Sequence, residues 1–183
     1  MQNSKNQLQS IAVISETLEY QNLEKVLEGL VKSYRKLLDI VRKEKDLLLE
    51  AKVDELVLNN QEKEEALEKI SALDSKRINS AVALARLIKL ESAAPRLLEI
   101  AEVLKGTKES DQLRQYQNTL ALLFERLKNQ NLQNETFAKS ALKTVNGALD
   151  EVKETLSGKK TYQKGGQYKA GPEQAGNFVS KEA

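Results

Sequence analysis

With 183 residues, the chain is long enough for one domain or for a long helical bundle with a tail. Its composition favours helices over sheets, because a chain with 40% hydrophobic residues has only 4% aromatic residues, 2 Pro and 8 Gly. It has no Cys or His and a net charge of only +2, which excludes disulfides, removes the commonest metal ligand and general base, and disfavours nucleic acid as a partner.

The first part of the chain, residues 1–17, is expected to be a flexible lead. It has one Lys and an apolar cluster of four residues, Ile11 to Ile14, which is shorter than the apolar core of a signal peptide. No later stretch approaches the roughly 18 apolar residues of a membrane span. We therefore expect a cytoplasmic protein without stable membrane insertion.

A first long helix is predicted over residues 18–50. Its apolar positions recur at alternating steps of four and three, which is the pattern of a helix that packs against another helix. Glu44 occupies one of these positions, so looser packing is expected there. The stripe consists of Leu23, Leu27, Leu30, Tyr34, Leu37, Val41, Glu44 and Leu48.

A second long helix is predicted over residues 54–93, because the phase of the stripe slips after Leu48. The carboxylate of Asp54 is suited to capping a new helix, and this predicts a tight connection and an antiparallel neighbour. One continuous helix with an irregularity is the competing interpretation. The second stripe consists of Val53, Leu56, Asn60, Lys63, Leu67, Ile70, Asp74, Arg77, Ala81, Leu84 and Ile88.

A short helix over residues 96–105 and a third long helix over 110–157 complete the prediction. Pro95 opens the short helix and Gly106 closes it, and the third helix is capped by Thr107, Ser110 or Asp111. The predicted fold is all-α: an antiparallel long-helix bundle or coiled coil with three long helices and one short helix. The third stripe consists of Leu113, Tyr116, Leu120, Leu123, Leu127, Asn131, Asn134, Ala138, Ala141, Val145, Leu149, Val152 and Leu156.

The segment 158–183 is predicted to be a disordered basic tail. It has five Lys and two Glu, a net charge of +3, so the rest of the chain carries 24 basic and 25 acidic residues, a net charge of −1. Gly residues are frequent and no periodic apolar face survives. Its aromatic residues, Tyr162, Tyr168 and Phe178, are either contacts for a partner or incidental to a solubilising tail.

Three features in this order resemble export chaperones of the FlgN type. They are the leucine pattern from Leu23 to Leu48, its continuation to Arg77, and a patch rich in Asn and Gln at residues 129–134 that is followed by a helix and by Tyr162 and Gly166. The resemblance covers roughly residues 20–170. It implies a flagellar export chaperone that binds the C-terminal helical segments of hook–filament junction proteins, prevents premature assembly and delivers them to the export gate.

On this hypothesis the cargo binds to the apolar face of the late third helix. The resemblance further implies that Tyr162 contacts the export gate of the flagellar secretion apparatus. The same apolar residues would close the bundle in the competing interpretation, a structural coiled-coil protein or oligomerising adaptor, and hairpins of this length also exchange between copies to give a homodimer. The predicted cargo-binding residues are Leu142, Val145, Leu149, Val152 and Leu156.

Overall fold

The computed structural model describes residues 17–156, and the lead and tail predicted on either side lie outside the described residues. Within this range, the chain forms four helices and no strand, which confirms the predicted all-α fold with three long helices and one short helix. It divides into two units, the first ending at Asn134 and the second beginning at Glu135. The helices are α1 (Leu18–Leu49), α2 (Val53–Leu87), α3 (Leu97–Val103) and α4 (Lys108–Leu156).

The first two helices form an antiparallel hairpin. The Asn59 amide donates to the Ile40 carbonyl near the turn, and Leu73 lies against Gly29 farther from it, so residue numbers rise on one helix as they fall on the other. Farther from the turn the helices approach closely at Gly29, where an added Cβ would lie 3.3 Å from the Leu73 side chain. An alanine at this position would therefore require the Leu73 side chain to shift by a few tenths of an ångström.

The break between α1 and α2 is a helix C-cap built without glycine. Ala51 adopts a left-handed conformation with φ of 53°, and the amide of Lys52 donates to the Leu47 carbonyl at 3.0 Å. This bond and the one from the Ala51 amide to the Leu48 carbonyl form a Schellman motif. The interpretation as one continuous helix is therefore wrong, as is the capping role of Asp54, which lies in the first turn of α2.

The second helix ends at Leu87, six residues before the predicted end at residue 93. Here too a residue other than glycine is left-handed: Lys89 has a φ of 58°, and the amide of Leu90 donates to the Ala85 carbonyl at 2.8 Å. This second Schellman motif terminates the helix before Pro95 can influence it.

The short helix and the start of α4 follow their predicted signals closely. Glu99 accepts a hydrogen bond from the amide of Arg96, the residue before α3, and Gly106 takes a positive φ of 86° after it. Thr107 is the candidate that caps α4, because its hydroxyl oxygen accepts from the amide of Ser110 at 3.2 Å. The Ser110 hydroxyl in turn donates to the Ala101 carbonyl at 2.6 Å and fixes α4 against α3.

Within the first unit, α4 runs parallel to α1, and polar side chains join the two helices. The Tyr20 hydroxyl donates to Gln112 at 3.0 Å, and the Gln112 amide donates to Glu24 at 3.3 Å. Burial raises the pKa of Tyr20 far above its usual value, so the hydroxyl keeps its proton and remains a donor. Farther along, Tyr116 donates to Glu28 at 3.5 Å.

The core of the first unit is built from aliphatic side chains, with Tyr20 as the one buried aromatic residue among those described. The α1 stripe packs as predicted, whereas the predicted α2 stripe is wrong by one residue near the turn. There Asn59 and Ala66 are buried, and the neighbouring Asn60 and Leu67 are exposed. The buried α1 residues are Tyr20, Leu23, Leu27, Leu30, Ser33, Leu37, Leu38, Ile40, Val41 and Leu47.

Candidate functional site

A layer of polar side chains crosses the first unit at its Asn134 end. Glu44 of α1 accepts from the Lys63 ammonium at 2.8 Å and from the Asn134 amide at 3.2 Å. The Asn134 amide also donates to the Val41 carbonyl at 2.8 Å, while its oxygen accepts from Gln130 at 3.1 Å. We call Glu44, Lys63, Gln130 and Asn134 the polar layer. It ties all three long helices together at the position where loose packing was predicted.

Of the other polar residues in the predicted stripes, two form an ion pair and two are exposed at the surface. Arg77 donates from Nε to Asp74 at 2.7 Å on the same helix, whereas Asn60 and Asn131 are exposed. Asn59 was not predicted as a buried position. It is fully buried and donates to the Ile40 carbonyl, and its side-chain oxygen accepts no hydrogen bond. A buried amide with one unsatisfied atom favours a single helix register at some cost in stability.

The second unit contains the five residues predicted to bind cargo, and we call them the distal stripe. All five lie on the C-terminal part of α4, and their steps of three and four residues bring them onto one face of the helix. Each side chain is 50–66% exposed, so the stripe does not form part of a closed core. Its members are Leu142, Val145, Leu149, Val152 and Leu156.

The two flanks of the distal stripe differ in character. Ala141 and Ala148 lie along one edge, and Lys139, Asn146 and Lys153 lie along the other. At about 100° per residue, the stripe and its alanine flank form an uncharged face of roughly 120°, which is wider than a coiled-coil seam. Small residues beside large apolar ones allow a neighbouring helix to approach closely. Ala141 was predicted as a member of the third helix's stripe, whereas the polar flank was not predicted.

Charged groups of the second unit pair along their own helix. Lys139 bonds Glu135 one turn earlier and holds the pKa of that carboxyl below its usual value, and Lys153 lies 3.8 Å from Asp150. Among the described residues, no three His, Cys, Asp or Glu side chains cluster as metal ligands would. No helix in the described part of the chain is long and apolar enough to cross a membrane. The exposed apolar face formed by the distal stripe is suited to binding an apolar helix.

Comparison with protein families identifies the chain. The model described as "FlgN protein" matches residues 19–170, which is most of the sequence. The chain belongs to the FlgN family. No match was found among curated proteins or among solved structures. FlgN proteins are flagellar export chaperones that bind flagellar proteins, and they are not a family of enzymes.

The FlgN match includes the polar layer, the distal stripe and Tyr162. Asn134 belongs to the patch rich in Asn and Gln at residues 129–134. In this FlgN protein its amide donates to the Val41 carbonyl and to the Glu44 carboxylate, and it thereby joins α4 to α1. Tyr162, the predicted contact for the export gate, lies outside the described residues. The structure thus brings the five residues of the distal stripe together on one exposed face, without placing Tyr162 relative to them.

Proposed function

We propose that this FlgN-family chain is a cytoplasmic chaperone that binds the C-terminal helical segments of hook–filament junction proteins. It prevents their premature assembly and delivers them to the export gate. The observation that carries the proposal is the exposure of the distal stripe, in which at least half of every side chain is accessible. A stripe of this length in a free protein is typical of a surface that a partner helix covers.

Two incomplete helix faces would meet in the complex. An axial protein outside the filament has an amphipathic end, and its apolar face is exposed until neighbouring subunits cover it. The distal stripe supplies an apolar face of matching period, and Ala141 and Ala148 allow the two helices to approach closely. Covering both faces prevents the junction protein from binding other copies of itself. Release needs no chemical step, because the contact is apolar and reversible.

A copurification experiment tests the proposal. Tagged full-length chain and a version ending at Leu156 are used to capture partners from a flagellated cell extract, and each partner is identified and counted by mass spectrometry. We expect junction proteins at a fixed ratio with both versions. Recovery of the tagged protein's own copies alone would contradict the proposal and support a structural coiled-coil protein instead.

Tyr162 tests the delivery step separately from cargo binding. We expect Tyr162→Ala to leave the fold and the cargo affinity unchanged while lowering secretion of junction proteins into the culture medium several-fold, because an aromatic anchor contributes strongly to a protein interface. Tyr168→Ala is a matched control in the same segment. Export assays and titrations with purified cargo would be run on both variants. If Tyr162→Ala lowered cargo affinity as much as it lowered secretion, Tyr162 would bind cargo and would have no separate role in delivery.

A further inference from the structure

The dipeptide Asn146–Gly147 lies in the middle of the second unit, on the polar edge of the distal stripe. It is the one Asn–Gly pair in the 183 residues of the chain. Both residues are exposed, and a Cβ added to Gly147 would meet no atom within 4 Å. Because glycine has no side chain, the backbone nitrogen after Asn146 is less shielded than the one after any other Asn of this chain.

We infer that Asn146 is a modification site, at which the side chain loses ammonia without the help of an enzyme. The Gly147 nitrogen, after giving its proton to hydroxide, attacks Cγ of Asn146, and the C–N bond of the side-chain amide breaks. Ammonia leaves, and a cyclic imide remains. Water then opens the imide at either of its carbonyl groups and yields aspartate or isoaspartate. The net reaction consumes a water molecule, releases ammonia and involves no oxidation or reduction.

A closed α-helix prevents this attack. The Gly147 amide lies within α4, where each N–H donates to the carbonyl four residues earlier. Helical side chains also tilt toward the N-terminus, which points the Asn146 side chain away from the nitrogen that follows it. The reaction therefore proceeds only when the helix opens around Asn146, at a rate proportional to the fraction of time that it spends open.

The amino-acid types around Asn146 favour this opening. Thr144, Val145, Asn146 and Gly147 are consecutive residues of low helix propensity, and glycine is the poorest helix former except proline. The Thr144 hydroxyl donates to the Ser140 carbonyl at 3.1 Å, a contact that slightly destabilises a helix. The weakest turn of this part of α4 is therefore the one that contains the Asn–Gly pair.

Packing does not hold this turn closed. Every residue in the range 139–156 is exposed, so opening uncovers little apolar surface. Ion pairs span residues 135–139 and 150–153, on either side of Asn146, and neither pair crosses it. A helix that is stabilised by propensity alone is marginal in water. The opened state that the reaction requires is therefore readily reached.

Conversion at Asn146 disrupts the distal stripe. Isoaspartate adds a methylene group to the main chain, which breaks the helical register, so Val145 and Leu149 no longer share one face. Aspartate places a negative charge one turn before Asp150, and like charges at this spacing disfavour a helix. The reaction at Asn146 thus limits the lifetime of the intact distal stripe.

Peptide mapping by mass spectrometry measures the reaction in the full-length protein. The purified chain is incubated in heavy-oxygen water near neutral pH, and samples are digested at acidic pH, where the Gly147 amide keeps its proton. We expect Asn146 to convert roughly tenfold faster than Asn60 and Asn131, which are also exposed on helices but precede larger residues. The product should contain heavy oxygen, and the rate should rise with hydroxide concentration.

Two variants separate the opening of the helix from the attack by Gly147. Ala148→Gly keeps the Asn–Gly pair and weakens the helix, so it should speed the conversion by about fivefold, the factor that corresponds to the difference in helix propensity. Gly147→Ala should slow the conversion by more than this factor, because alanine favours the helix and also shields its own nitrogen. Circular dichroism would establish that both variants keep the helices of the first unit.

Three results would overturn the inference. Asn146 could convert no faster than Asn60 and Asn131, which would mean that the following glycine gives it no special reactivity. Equal rates in Gly147→Ala and the original chain would exclude attack by the Gly147 nitrogen. A rate that Ala148→Gly leaves unchanged would contradict a reaction that proceeds through the opened helix.

Discussion

Replacing two neighbouring residues of the distal stripe, Leu149→Gln and Val152→Gln, should nearly abolish cargo binding and leave the free protein's stability unchanged. Each apolar side chain contributes about 1.5–3 kcal/mol when fully buried. Because a partner helix buries only part of each, we expect the double variant to lose roughly 2–4 kcal/mol, or about 30- to 1,000-fold in affinity. Glutamine is chosen because it retains helix propensity.

The matched control introduces the same residue on the polar face of the same helix. Lys143→Gln and Asp150→Gln lie away from the distal stripe, and this variant should bind cargo as the original chain does. Affinity would be measured by calorimetric titration with a purified C-terminal segment of a junction protein, and stability by thermal unfolding. Equal losses in the two variants would indicate a general effect on the helix, and no loss in either would remove the distal stripe from the binding surface.

Separating the partners in the polar layer should destabilise the first unit, whereas replacing them together should not. The Glu44 and Lys63 side chains are only 15% and 23% exposed. Either Glu44→Met or Lys63→Met would leave a largely buried charge without its partner, at a cost of about 1–3 kcal/mol after allowance for the remaining solvent contact. The double variant should unfold close to the original chain, since an apolar pair of similar volume replaces a desolvated ion pair at little cost.

The free energies of unfolding in urea for the four proteins form a double-mutant cycle that measures the coupling between Glu44 and Lys63. Asp39→Asn is the control, because Asp39 pairs with Arg42 on the exposed face of α1 and its loss should produce no measurable change. If the two single effects simply added in the double variant, the 2.8 Å contact between Lys63 and Glu44 would contribute nothing to the fold.

The sequence predicted the helices well where large apolar side chains form the contact. In α1, Leu23, Leu27 and Val41 are fully buried, as their spacing indicated. Near the turn in α2, the small residues Asn59 and Ala66 face α1, and the larger Leu67 is exposed. A hydrophobic pattern places the larger side chain, Leu67, in the core. It does not reveal that α1 and α2 pack closely through the smaller Ala66.

Helix ends were hardest to predict where a residue other than glycine takes the left-handed conformation. Ala51 and Lys89 both do so, each at a cost that the two hydrogen bonds of a Schellman motif offset. Neither residue type signals a helix end, and Pro95 gave only a later limit for α2. Gly106 and Thr107 are residue types that usually mark such positions: Gly106 takes the predicted role, and Thr107 is the cap among the three candidates that the sequence left open.

The residues of the distal stripe were predicted as a set, but their exposure and the contacts of the polar layer were not. Spacing alone placed Leu142, Leu149 and Leu156 on one face of a helix. The spacing could not distinguish a face that closes the bundle from one that remains exposed, because both require the same periodicity. The polar layer was also unpredictable from α4 alone, since the role of Asn134 depends on the backbone carbonyl of Val41.

Segment 135–156 remains helical although almost none of its side chains are buried, so its free energy of local opening is small. Proteases cleave such a segment in proportion to the time it spends open. A bound cargo helix would reduce that time, because a ligand of the folded state lowers the population of the opened state. On the proposed function, chaperone with bound cargo would therefore resist cleavage of this segment for longer than empty chaperone.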